Sequence, residues 1–243
     1  MNKEQKKLFV AGHQPHYLPW IGYFNKIFQA DLFCLVDTVQ YEKKYFQNRN
    51  KIRTKNGELW LTVPVKTDGR FTQMISEVEI DNSYPWRRKH WKSITVAYGK
   101  APHFYDYAGF FEDVYSRDWK LLVDLDEYII AGVLKFLNIP RVIVRSSSFG
   151  TQGQKTDLLL EICKHMGAGG YLSGTGGSHE YVDEEKLKKA RFSHQFQSFT
   201  HPIYPQIHGD FVAKMAVIDL LFNCGEESED IVKKASGAEQ ATV

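Results

Sequence analysis

The feature that most constrains the fold is a pair of short apolar runs near the amino terminus, separated by a helical stretch. Residues 8–11 and 32–39 have the length and composition of strands, and the second run is apolar on both faces. Between them, apolar residues recur at helical spacing over residues 20–29, after a proline that suits a first helical turn. Strand, helix and strand in this order form a βαβ unit. We therefore predict parallel strands joined by a right-handed crossover.

The remainder of the chain continues this alternation of strands and helices. Strand-like segments occupy residues 60–65, 141–145, 171–172 and 192–199, and helical patterns cover residues 119–137, 156–166, 182–190 and 211–223. This order predicts an α/β fold: a Rossmann-like, mostly parallel sheet with flanking helices. We expect one domain over residues 1–225, with residues 41–108 as an inserted α+β lobe. The polar segment 226–243 is predicted to be a disordered tail.

Composition excludes several classes of function. The chain has 31 Lys and Arg against 29 Asp and Glu, so no global field attracts nucleic acid, although residues 84–107 are aromatic and basic. It has no secretory apolar region and no stretch near the ~18 apolar residues of a membrane span. We expect a soluble cytoplasmic protein without membrane insertion or a nucleic-acid partner. Cys34, Cys163 and Cys224 lack metal-ligand spacing and are expected to be buried thiols.

The segment GHQPHYLPW, which begins at Gly12, is the richest in groups that could take part in chemistry. It follows the first strand, and ligands of open α/β sheets bind at the carboxyl ends of strands. A helix starts just beyond it, and helix N-termini favour anions such as phosphate. One histidine there could simply cap the strand, but several polar side chains together favour a ligand site. The candidates are His13, Gln14, His16, Tyr17 and Trp20.

A second set of candidates follows the second strand. Asp37 would project at the same edge as His13, where a carboxylate can orient a histidine, take a proton or bind a sugar hydroxyl. Arg49 suits a phosphate or carboxylate through bidentate contacts. Lys43, Lys44, Lys51 and Lys55 are better explained as a solvated basic turn. The remaining candidates of this set are Gln40, Tyr41, Asn48 and Asn50.

Three later segments supply further candidates for substrate binding. Lys155 precedes a helix whose N-cap is Thr156, so it can share an anion with the helix N-terminus or belong to an ordinary cap. The glycine-rich stretch LSGTGGSHEY, with Ser173 and Gly174, could approach a ligand through its backbone or could equally form an ordinary turn. Finally, the stretch HPIYPQ contributes His201, Tyr204 and Gln206 as another wall of the pocket.

Taken together, these segments resemble the WbqC-like family. The matching blocks are HQPHYLPWIGYFNKI, FCLVDTVQY, FQNRNKIR, WLTVPV, KTDLLLEICKHMGAGGYLSG, HPIYPQ and DLLFNCG, which span about residues 9–225. The resemblance implies a role in O-antigen or related surface polysaccharide biosynthesis. In its most specific form it implies glycyl transfer to the amine of a nucleotide-linked amino sugar. His13, His16 and Asp37 are then the expected catalytic groups.

Other functions stay open at this level. The HxxH loop loosely resembles adenylate-forming nucleotidyltransferases such as pantothenate synthetase, although a late Lys-Met-Ser-like signature is not evident. The acyl donor could therefore be an adenylate made from ATP or a thioester on a carrier protein. An ATP-dependent amide ligase, a thioester hydrolase and a non-catalytic sugar-nucleotide-binding scaffold are the alternatives. No metal is expected.

Overall fold

In the computed structural model of the chain, residues 7–174, 176 and 182–236 are described. The strands are β1 (Phe9–His13), β2 (Leu32–Leu35), β3 (Arg49–Thr54), β4 (Gly57–Thr62), β5 (Ile143–Arg145), β6 (Gly170–Ser173) and β7 (Ser193–Phe196). The α-helices are α1 (Ile21–Gln29), α2 (Trp86–Tyr98), α3 (Phe104–Ser116), α4 (Leu122–Phe136), α5 (Thr156–His165), α6 (Glu184–Lys189), α7 (Val217–Cys224) and α8 (Glu227–Lys234). Short 3-10 helices occupy Ile75–Glu77 and Ser146–Phe149.

Five strands form a parallel sheet in the order β5-β2-β1-β6-β7. The chain runs outward from β1 through β2 to β5, then returns to the other side of β1 and runs outward through β6 to β7. This order confirms the predicted α/β architecture and is that of a doubly wound Rossmann-like sheet. The topological switch point therefore lies between β1 and β6.

The sheet is covered on both faces, as its apolar strands predict. Alternate residues of each strand enter different clusters: Val10 and Cys34 pack with α5, whereas Ala11 and Phe33 pack with α1 and the helices behind it. The first face uses the apolar side of α5, including Leu159. The arrangement explains why the strands contain so few polar residues.

The segment predicted as an inserted lobe contains the antiparallel hairpin β3–β4 and α2. Ile52 and Leu61 of the hairpin lie in one hydrophobic cluster with Ile21 of α1 and Ile94 of α2. The hairpin is thus packed directly on the layer that covers the sheet. The sequence QNRNKIR, expected to be a turn, contributes most of strand β3, because its alternating side chains Asn50 and Ile52 point inward.

The prediction that residues 226–243 form a disordered tail is wrong for the first part of that segment. Residues Glu227–Lys234 form α8, and Val232 is fully buried. Asn25 of α1 donates to the backbone oxygen of Val232 at 2.8 Å and to the hydroxyl of Ser236 at 3.0 Å. Its carbonyl oxygen in turn accepts from Gln197 at 2.8 Å. Buried polar groups of this kind hold α8 on the outer side of α1.

Gly225 follows the end of α7 with a positive φ of 55°, a conformation that glycine adopts without strain. Among the described residues, none of the helices has the length and apolar character needed to cross a bilayer.

Candidate functional site

A cavity of about 530 Å³ opens at the carboxyl ends of β1 and β6, at the switch point of the sheet. Ligands of doubly wound folds bind at this position because the loops diverge there and leave a crevice. The cavity is walled by the loop after β1, helix α1, the hairpin and the segment before α7. Its lining residues are His13, His16, Trp20, Gly22, Tyr23, Lys26, Tyr45, Phe46, Lys51, Trp60, Gly174, Gly176, Gln197 and Lys214.

The loop after β1 is fixed at several points. The hydroxyl of Tyr17 is buried in the core, 2.8 Å from Nδ1 of His90 and 2.5 Å from the hydroxyl of Tyr115. The backbone N–H of Tyr17 also donates to the oxygen of Phe46 at 3.0 Å. At Gly12 a Cβ would lie 2.6 Å from the hydroxyl of Tyr171, so only glycine fits. These contacts position the two histidines of the loop.

His13 and His16 meet edge to face, with ring centroids 4.6 Å apart. Nδ1 of His13 donates to the backbone oxygen of Gln14 at 3.0 Å, because a carbonyl can only accept. In the neutral ring this leaves Nε2 of His13 as the acceptor. Nε2 of His16 is buried and has no hydrogen-bond partner among the described residues. Tyr23 packs against both rings, at centroid distances of 4.6 and 5.5 Å.

Both imidazoles are neutral at physiological pH. Burial, followed by the charge of Lys26, lowers the pKa of His16 to about 3. Burial, then His16 and Lys26, lowers the pKa of His13 well below its ordinary value. A neutral imidazole presents one lone pair, so each ring is able to accept a proton.

Lys26 is the least expected member of the site. It lies in the middle of α1, is only 4% exposed, and its Nζ donates to the backbone oxygen of Gly12 at 2.8 Å. Burial lowers its pKa to about 7. Among the described residues no carboxylate pairs with it, and the described lining contains no acidic side chain. The cavity therefore combines cationic groups with neutral imidazoles.

Aromatic side chains form the outer walls. The ring of Trp20 stacks on His201 at 5.9 Å and presses on Gly22, where a Cβ would lie 2.5 Å from the indole. On the opposite wall, the guanidinium of Arg49 lies 4.5 Å from the centroid of Trp60. Tyr45 and Trp60 are each about two-fifths exposed at the rim. Such walls suit a ligand with planar or apolar ring faces.

Four of the predicted site residues line this cavity: His13, His16, Trp20 and Gly174. Asp37 does not. Its carboxylate accepts from the hydroxyl of Ser146 at 3.0 Å, and from the backbone N–H and hydroxyl of Ser147 at 2.9 and 2.7 Å. Asp37 is fully buried, and both of its oxygens are engaged at the start of the 3-10 helix after β5. It makes no hydrogen bond to either histidine of the cavity.

The other candidates near the first two strands make structural contacts. Gln14 accepts from Gln47 at 2.9 Å beside the cavity, and Gln40 donates to the oxygen of Phe71 at 2.9 Å in a separate depression that Tyr41 also lines. Asn48 and Asn50 donate to backbone oxygens of Val63 and Leu18 at 2.8 and 2.7 Å. Arg49 reaches the cavity only indirectly, as the support behind Trp60, and it also donates to the oxygen of Lys44.

The candidates from the second half of the chain are spread out. Lys155 precedes α5 and does not line the cavity. Ser173 ends β6, with its hydroxyl 2.8 Å from His194. Tyr204 and Gln206 both donate to the carboxylate of Asp219, at 2.8 and 2.7 Å. His201 supports Trp20 and accepts from the backbone N–H of Lys214 at 3.0 Å. Residues 175 and 177–181 of the glycine-rich stretch lie outside the described residues.

With this geometry in place, comparison with known proteins gives one clear result. The chain matches the WbqC-like protein family over residues 14–231. The chain belongs to that family. It is also 32% identical over 226 residues to the uncharacterized protein Rv1507c of Mycobacterium tuberculosis, covering 92% of this chain and 97% of that one. No solved structure gives a significant match.

Several residues that line the cavity of this WbqC-like protein are not predicted by the sequence patterns. Lys26 lies in a helix of otherwise mostly apolar pattern, four positions after Gly22 and three after Tyr23, so its position on the same face was a usable signal. Lys51, expected in a solvated turn, lies instead in strand β3 and lines the cavity. Trp60 and Lys214 come from the hairpin and from a loop that only the folded chain brings together.

Proposed function

We propose that this cavity binds a nucleotide-linked amino sugar and joins an acyl group, in the most specific form a glycyl group, to its amine. The observation that supports this best is the pair of neutral imidazoles at the switch point. Nε2 of His16 is buried there and has no partner in the part of the chain that the structure describes, and Nε2 of His13 is left as an acceptor. Acyl transfer to an amine needs a group that takes a proton from nitrogen as the new bond forms.

In this proposal the amine nitrogen attacks the carbonyl carbon of an activated carboxyl group. A C–N bond forms, the bond to the leaving group breaks, and the proton lost by nitrogen passes to His16 and then to the leaving group. The donor is a thioester on a carrier protein or an acyl adenylate. With either donor, the products are the amide and the protonated leaving group.

The charges around the cavity support His16 as a base that becomes stronger when the substrate binds. Besides burial, the Lys26 ammonium lowers the pKa of His16. A substrate anion beside Lys26 would offset that charge and so raise the pKa of His16 from its value of about 3, which makes the ring a stronger base than in the free protein. His13, in edge-to-face contact with His16 at 4.6 Å, holds the ring in place.

The lining also supports an amino-sugar nucleotide as acceptor. Its aromatic residues, Trp20, Tyr45 and Trp60 among them, suit the faces of a sugar or base, whereas Gln197 and the lysines suit polar and anionic groups. The proposed setting, O-antigen or another surface polysaccharide made in the cytoplasm, rests on the family resemblance rather than on the cavity.

The deciding experiment is mass spectrometry of a reaction mixture. The full-length protein is incubated with a nucleotide-linked amino sugar, glycine and ATP, and in parallel with a glycyl-loaded carrier protein. A gain of one glycyl unit on the sugar nucleotide supports the proposal, and the arm that yields it identifies the donor.

The alternatives give different results in the same experiment. ATP–pyrophosphate exchange that depends on glycine would indicate an adenylate-forming ligase. Binding of the sugar nucleotide without product in either arm would contradict acyl transfer and favour a non-catalytic binding protein.

A further inference from the structure

Lys26 occupies the point where the two central strands of the sheet end. Its Nζ lies 2.8 Å from the backbone oxygen of Gly12 at the end of β1. It also lies 3.7 Å from the position of a Cβ on Gly174, just after β6. The side chain crosses from α1 to the switch point and ends inside the cavity. A ligand that reaches the switch point would therefore contact this amino group.

Within the described residues, the amino group of Lys26 has unused hydrogen-bonding capacity. An ammonium carries three donors, and in this part of the chain one of them is used, by the backbone oxygen of Gly12. Among the described residues no carboxylate neutralises it, although buried charges in proteins are normally paired. By contrast, Lys51 on the cavity wall is 2.6 Å from Glu58. Nε2 of His16, also without a partner among the described residues, is a second unused polar group of the same cavity.

We infer that Lys26, which lies beside His16 in the cavity, is the binding site for a phosphoryl anion, the diphosphate of the nucleotide-linked substrate. This inference rests on the proposed function and identifies the part of the substrate that the site recognises. Lys214 at the cavity wall supplies a further positive charge, as a diphosphate requires. Trp60 and Tyr45 at the rim then face the remainder of the substrate. Lys155 and Arg49, the anion ligands expected from sequence, have no part in this site.

Binding at this site is linked to protonation of Lys26. Because the pKa of Lys26 is about 7, much of the free protein carries a neutral amine near pH 8, and a bound anion favours the ammonium. The other titratable groups around it hold one state in this range: the pKa of His13 and His16 is far lower and that of Tyr23 far higher. The remaining neighbours on the facing elements are Tyr171 of β6, Lys51 of β3 and Lys214.

The test is calorimetric titration of the full-length protein with inorganic pyrophosphate near pH 8, in buffers of different ionisation enthalpy. We expect binding with net proton uptake in the wild type. Lys26→Met should weaken binding by roughly 10- to 100-fold and remove the proton uptake. Lys155→Met, which changes a lysine outside the cavity, is the matched control and should leave both unchanged. Equal affinity in Lys26→Met, or no pyrophosphate binding by the wild type, would overturn the inference.

Two further measurements complete the test. In the wild type, pyrophosphate should protect Lys26 from labelling by trinitrobenzenesulfonate, as mapped by mass spectrometry, and unprotected labelling would contradict the inference even if the variant fails to fold. Acetate at equal concentration should bind far more weakly, since equal binding would indicate a carboxylate site. Glycyl product without pyrophosphate binding would overturn only this inference, whereas pyrophosphate binding without product would overturn only the proposed function.

Discussion

The carboxyl ends of β1 and β2 are neighbours in the sheet, yet they use polar side chains in opposite ways. After β2, Asp37 accepts three hydrogen bonds from Ser146 and Ser147, so both of its oxygens are engaged within the fold. After β1, His16 is equally buried but its Nε2 has no partner among the described residues. A buried polar group left without a partner destabilises the protein. The difference suggests that the β2 end stabilises structure and the β1 end serves a ligand.

The largest expected effect tests the β1 end. His16→Gln should lower the rate of the proposed transfer by about 10²- to 10⁴-fold, because glutamine cannot accept the proton. The free energy of unfolding should fall by about 1 to 3 kcal/mol, because the buried ring contacts with His13 and Tyr23 are lost and an amide is buried in their place, so the rate is compared per folded molecule. Initial rates and denaturant unfolding measure the two effects. His165→Gln, at an exposed histidine of α5, is the control, and an unchanged rate in His16→Gln would remove the base assignment.

The next effect tests the β2 end. Asp37→Ala should lower the free energy of unfolding by about 3 kcal/mol, because three donors lose their buried acceptor. Asp37→Asn, which keeps one acceptor oxygen, should lose about half as much. Urea unfolding at constant pH measures both variants. If activity per folded molecule falls instead while stability is kept, Asp37 takes part in the chemistry, as the sequence predicted, and the contrast between the two strand ends fails.

The smallest effect is a gain in stability at the β1 end. Lys26→Met should raise the free energy of unfolding at neutral pH by about 2 kcal/mol, because a buried ammonium without a carboxylate partner is removed. The pKa of Lys26 is about 7 in the folded protein and near 10.4 in the unfolded chain. Between these values the unfolded chain binds more protons, so wild-type stability rises with pH.

Lys26→Met should lack this rise of stability with pH. Its gain in the free energy of unfolding over the wild type should therefore shrink as the pH approaches 10. Unfolding curves of the two proteins at a series of pH values measure the difference. If the difference in the free energy of unfolding between the two proteins were constant across these pH values, the Lys26 amine would titrate normally.

Local pattern was enough to predict the sheet and the histidine loop. The βαβ unit of β1, α1 and β2, and the position of His13 and His16 at its edge, follow from apolar periodicity and chain direction. The partners of Asp37 could not be predicted, because Ser146 is more than a hundred positions away and meets it only when β5 pairs with β2. The same limit applies to β3, because its inward Asn50 is a residue type typical of turns.

Helix α8 has a practical consequence for anyone who shortens or tags the chain. By composition, residues after 226 look dispensable, and removing them is a common step before crystallisation or fusion. Yet Val232 and Ser236 accept hydrogen bonds from Asn25 of α1. The next residue of α1 is Lys26. A truncated protein would lose the outer support of the helix that carries the amino group of the cavity. If such a truncated protein were inactive, the loss of activity would therefore result from the missing support of α1. It would not show that the full-length chain lacks the activity.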